Sequence, residues 1–192
     1  MKRTLLMTLV VIMTAFQVNA QVKGDITFSA LFGGNLSTIT NSDDADTKFG
    51  WDIGGEFGYM LTDEIGISLG IMNDLLGAKS KQLDENFNLR YVDVPLLAKY
   101  YITPWLAVKG GPQIGFLTSA KIDDQNIKDD CNKTVFSLPM GISFEPNWGL
   151  GNGYSFIFDL RYHLGLSNVN KTGETRRNSA VILSIGYKFS FR

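Results

Sequence analysis

Apolar and polar residues alternate along this chain in stretches that recur from end to end. In the last one, Val181, Leu183, Ile185, Tyr187, Phe189 and Phe191 share one parity, while Ala180, Ile182, Ser184, Gly186, Lys188 and Ser190 share the other. An earlier stretch sets Phe156, Phe158, Leu160, Tyr162, Leu164 and Leu166 against Asp159, Arg161, His163 and Gly165. Another sets Trp51, Ile53, Phe57 and Tyr59 against Asp52, Gly54, Glu56 and Gly58. A period of two is the mark of a strand with two unlike faces; helical spacing would scatter these sets around a cylinder. The pattern predicts strands over 26–36, 49–60, 65–77, 89–101, 105–120, 134–145, 154–166 and 179–191.

The gaps between these strands are sorted. Ser37–Lys48, Ala78–Asn88, Lys121–Lys133 and Ser167–Asn178 are long and polar, whereas Leu61–Glu64 and Ile102–Pro104 are short and Pro146–Gly153 only somewhat longer. Alternating long loops and short turns is the habit of a barrel that crosses a membrane. The fold class expected is therefore all-β: an eight-stranded antiparallel transmembrane up-and-down β-barrel with both termini on the short-turn side. The polar face is rich in Gly and Ser. Asp52, Glu56, Asp93, Glu145 and Asp159 stand there against Lys99, Lys109, Arg161 and Lys188, a near balance that suits a packed interior. A soluble lipocalin-like barrel would have the faces inverted. Tyr59, Tyr100, Trp105, Tyr154 and Tyr187 fall near strand ends, where interfacial aromatic girdles are expected. Pro95, Pro112 and Pro139 lie inside expected strands and call for bulges, because proline cannot donate to a ladder.

The N-terminus is a separate object. Lys2 and Arg3 precede the apolar run Leu5–Phe16, and Val18-Asn19-Ala20 supplies small residues before Gln21. That is the layout of a signal peptide over residues 1–20, leaving 21–192 as the barrel domain. The run is too short for a spanning helix, which needs about 20 apolar residues. Composition agrees with β architecture: 13 Phe, 7 Tyr and 20 Gly against 5 Pro. A net charge of −1 leaves no basic footprint for nucleic acid, and a lone cysteine, Cys131, rules out an internal disulfide framework.

From the fourth strand on, the chain resembles the porin-like outer-membrane β-barrel family of the PorT type. The likeness is carried by Tyr91-Val92-Asp93-Val94-Pro95-Leu96-Leu97-Ala98-Lys99-Tyr100, by Lys109-Gly110-Gly111-Pro112-Gln113-Ile114-Gly115, by Asp159-Leu160-Arg161-Tyr162-His163-Leu164-Gly165-Leu166 and by the closing aromatic strand. It implies an outer-membrane barrel and transfers no activity, since members range from secretion-system components to barrels of other roles. Such barrels commonly end on an aromatic residue, whereas here Arg192 follows Phe191.

Glu56, Asp93, Lys99, Lys109, Asp159, Arg161 and Lys188 are the expected polar network of the interior, locking it rather than lining a pore. His163 and Ser167 are the one pair to test for lipid A hydrolysis. Four residues along a strand place them roughly 13 Å apart, beyond hydrogen-bond reach, so no catalytic residue is assigned. The acidic loop clusters Asp43, Asp44, Asp46 and Asp123, Asp124, Asp129, Asp130 lack calcium-loop spacing and read as solvated surface; no metal or other cofactor is expected. Cys131 reads as an exposed free thiol. The function expected is a structural or interaction role in the bacterial outer membrane, with a plugged interior and four extracellular loops. A narrow solute channel or ligand transporter is the alternative. The partners expected are outer-membrane lipids and lipopolysaccharide, the barrel assembly machinery during biogenesis, and an envelope protein.

Overall fold

A computed structural model describes residues 21–40, 45–80, 86–123, 125–147, 153–171 and 175–191. The described residues form β1 (Ile26–Thr40), β2 (Ala45–Asp46), β3 (Lys48–Met60), β4 (Ile65–Ser80), β5 (Asn86–Thr103), β6 (Leu106–Gly110), β7 (Gln113–Ile122), β8 (Gln125–Asn126), β9 (Thr134–Phe144), β10 (Tyr154–Gly165) and β11 (Arg177–Phe191), with one short 3-10 turn at Lys128–Asp130. Every pairing is antiparallel. β1 pairs with β3 on one side and β11 on the other, β4 with β3 and β5, and β10 with β9 and β11. β6 and β7 lie end to end between β5 and β9. The short strands β2 and β8 pair with the long-loop ends of β4 and β7. The expected signal peptide lies outside the described residues.

The alternation turns out as a fold with its polarity reversed relative to a soluble protein. Phe49 (70% exposed), Ile71 (65%) and Leu183 (59%) stand on the outer face, while Asp52, Asp159 and Ser184 are fully buried on the inner one. Large apolar side chains are exposed along every long strand. A contiguous apolar surface of this extent is stable only against another apolar medium. The inverted, lipocalin-like arrangement is excluded by these burials. Near the short turns the outer face carries packed rings: Tyr154 and Tyr187 (6.1 Å between centroids), Trp105 and Phe144 (5.4 Å), Phe28 and Phe57 (4.9 Å).

The three prolines converge on one irregularity. The segment expected as a single strand over 105–120 is broken at Gly111 and Pro112, and the two strands flanking the break contribute Pro95 and Pro139. The carbonyls there are still used: the Leu96 N–H donates to Pro112 (2.9 Å) and the Gly111 N–H to Pro139 (3.2 Å). A Cβ on Gly111 would sit 2.1 Å from the Leu96 carbonyl oxygen, so only glycine fits this turn of the chain. A second bulge falls between Arg90 and Tyr91 of β5, where Thr118 of β7 is the extra residue.

The long-loop end differs from the expected solvated loops. Leu76, Leu89, Tyr91, Leu117, Ala180 and Ile182 point inward there and pack with Val169 and Cys131 from the connecting segments. Two of those segments are stitched together. Asn132 Nδ2 donates to the carbonyls of Asn168 (2.9 Å) and Asn170 (3.0 Å), and the Asn132 N–H donates to Val169 (2.7 Å). Cys131 is therefore 1% exposed, not an exposed thiol: its side chain completes an apolar cluster that alternation along the strands does not reveal.

Candidate functional site: the charged interior

The inner face gathers its charges by parity. Glu56 on β3, Lys99 on β5, Lys109 on β6, Asp159 and Arg161 on β10 and Lys188 on β11 all occupy inward positions, so strands distant in sequence deliver them to one space. Glu56 is the hub. Its carboxylate lies 3.0 Å from Lys99 Nζ, 3.3 Å from Lys109 Nζ and 4.0 Å from Arg161 Nη1. Lys109 also pairs with Asp159, which in turn lies 2.7 Å from Arg161 Nε. Towards the short turns a second group forms: Lys188 pairs with Glu145, whose carboxylate accepts from Tyr101 Oη (3.0 Å) and Ser143 Oγ (2.9 Å).

Six of the seven residues expected for the network thus sit in ion pairs. Asp93 does not join them. It is buried on the inner face, but neither of its carboxylate oxygens has a hydrogen-bond donor, and its neighbour is the carboxyl of Asp74. Asp74 lies on β4, where the other buried positions of the same parity, Gly66, Ser68, Gly70, Met72, Leu76 and Ala78, carry no charge. Asp52 and Glu145, recognisable as polar-face charges, are full members. Asp52 accepts from Ser184 Oγ at 2.7 Å and lies 3.4 Å from Arg161 Nη2.

His163 faces this interior, with Nδ1 3.4 Å from Gln113 Nε2. Ser167 is engaged elsewhere: its Oγ accepts from the Phe136 N–H at 2.6 Å. The two therefore form no nucleophile–base pair. Among the described residues no group of three or more His, Cys, Asp or Glu side chains is placed to hold a metal ion. Part of each acidic loop cluster, Asp43, Asp44 and Asp124, lies outside the described residues.

A family match and several solved structures fall in line with this geometry. The outer membrane protein beta-barrel domain family matches over residues 4–189. Among solved structures, the outer membrane protein OprG from Pseudomonas aeruginosa is similar in fold, with a TM-score of 0.60 at 15% identity, covering 92% of this chain and 100% of that one. The N-terminal beta-barrel domain of Pseudomonas aeruginosa OprF gives 0.55 at 18% identity, covering 89% and 100%. Neisserial surface protein A gives 0.53 at 12% identity, covering 85% and 97%. At these identities the likeness is one of fold. No curated protein matches the chain.

Proposed function

Because the chain belongs to the outer membrane protein beta-barrel domain family and resides in the outer membrane, we propose that it is a closed eight-stranded barrel, sealed inside, that acts as a rigid non-enzymatic frame for its external loops. The observation that carries this reading is the filled interior. Ion pairs centred on Glu56 occupy its middle, and the apolar cluster around Tyr91 occupies its long-loop end. Eight strands leave room for little more than side chains. The pairing of β1 with β11 supports closure of the sheet on itself. In this reading residues 1–20 are the cleaved export signal and residues 21–192 the barrel domain.

The partners follow from the surfaces. Membrane lipid and lipopolysaccharide face the apolar exterior, the barrel assembly machinery handles the chain during biogenesis, and an envelope protein meets the loops, where binding on a rigid scaffold usually resides. The test is conductance of the full-length protein in planar lipid bilayers. A sealed frame gives no steady discrete openings. Reproducible openings would overturn the sealed interior and favour the narrow solute channel.

A further inference from the structure

One cation stands on the lipid-facing side, and its height along the strand is informative. Arg90 is exposed on the outer face of β5, where its guanidinium lies 5.6 Å from the centre of the Trp51 ring. Among the described residues it has no carboxylate partner. Tyr100, exposed on the same face of the same strand, marks the short-turn interface. The ten residue steps from one to the other span about 33 Å along the strand, or about 25 Å along the membrane normal at a tilt of roughly 40°, which is the height of the apolar band of such barrels. Arg90 therefore stands at headgroup level on the long-loop side, which faces the outer leaflet.

A second cation joins it through the Thr118 bulge. With strict alternation from Ile114 and Phe116, Lys121 would point inward. The extra residue turns it outward, opposite Asn88 and diagonal to Arg90, and it is exposed. Lys128 Nζ donates to the Thr118 carbonyl at 3.0 Å, adding a third positive charge over the same bulge. The acid nearest to Lys121 in sequence, Asp123, accepts the Asn86 N–H at 3.1 Å. A guanidinium held over an indole by a cation–π contact leaves N–H groups for a further partner, and its planar fork matches a phosphate.

We propose that Arg90 and Lys121, backed by Trp51, form a docking site for a phosphate of lipid A, the lipopolysaccharide anchor of the outer leaflet. This deepens the membrane-embedded reading and rests on it. The experiment uses the purified full-length protein in a neutral detergent, titrated with bisphosphorylated lipid A, dephosphorylated lipid A and phosphatidylglycerol. The expected result is that the Arg90→Ala, Lys121→Ala double variant binds bisphosphorylated lipid A about tenfold more weakly. Binding of dephosphorylated lipid A stays as in the wild type, and Lys23→Ala, at the short-turn end, changes nothing. Unaltered binding of the double variant to bisphosphorylated lipid A overturns the proposal. An equal loss for phosphatidylglycerol also overturns it, because the phosphate would then be that of any phospholipid. Each protein is run unboiled and boiled on a detergent gel. A double variant that loses the faster unboiled band is replaced by Arg90→Gln, read in the same way. A wild-type chain lacking that band would instead sink the barrel reading beneath the proposal.

Discussion

Arg161 on β10 reaches Asp52 on β3, Nη2 to Oδ2 3.4 Å, although β1 and β11 lie between the two strands. The contact crosses the interior instead of running along the sheet. Together with the 2.7 Å approach of Arg161 Nε to Asp159 and the 4.0 Å approach of Nη1 to Glu56, it makes one guanidinium answerable for three buried acids.

Removing that guanidinium should be costly. Arg161→Ala leaves Asp52 and Asp159 buried short of a counter-charge, and breaking such a pair costs about 3–5 kcal/mol. The midpoint of urea unfolding in lipid vesicles should fall accordingly. Adding Asp159→Asn should recover part of the loss, because it removes one of the stranded charges. A midpoint unmoved by Arg161→Ala would show that the network does not hold the barrel.

Two neighbouring glycines should respond differently to one added methyl. A Cβ at Gly141 would fall 2.0 Å from the Leu160 carbonyl oxygen and 2.9 Å from the Arg161 Cα, and neither can yield without moving β10. At Gly110 the nearest atom is 3.4 Å away. Gly141→Ala should destabilise by about 1–3 kcal/mol, as overpacking does, and Gly110→Ala by much less. The temperature at which the unboiled gel band disappears reads the contrast; equal shifts would contradict it.

Cys131 should be a poor nucleophile until the protein unfolds. Burial pushes its thiol pKa up and Asp130 adds to the shift, with Lys171 opposing. The sign is clear: a raised pKa lowers the thiolate fraction at any pH below it, and the thiolate is the reactive form. Maleimide at neutral pH should label the native protein slowly and the urea-unfolded protein within minutes. Fast native labelling would mean that the long-loop end is open.

Val169 tests the same end from the other stitched segment. It is 1% exposed within the apolar cluster, and its N–H donates to the Arg176 carbonyl at 2.8 Å. Val169→Asp buries a charge with no partner, so this segment should lift away. Limited trypsin digestion should then cut faster at Lys171 and Arg176, while the unboiled gel mobility stays that of a folded barrel. Cleavage rates equal to wild type would show that Val169 does not hold the loops down.

The sequence by itself determined most of the strands and which residues share a face within each unbroken one. The reason is that side chains alternate in any extended chain, so Asp159, Arg161 and Lys188 are bound to one side whatever they meet there. It also called for an irregularity near the prolines, since a missing donor has to be accommodated somewhere, although the full break at Gly111 and Pro112 came only with the fold. Tertiary structure decided the rest. Periodicity along a strand carries no information about which strands face each other across the interior. Hence the partner of Arg161, the contact of Asp74 with Asp93 and the isolation of Asp93 from the ion pairs had to be seen in three dimensions. A single extra residue at Thr118 reverses parity beyond it, sending Lys121 outward where strict alternation points it in. Cys131 and Val169 show the same limit in the loops. Nothing periodic marks them, and only the fold shows that they close the apolar end of the interior.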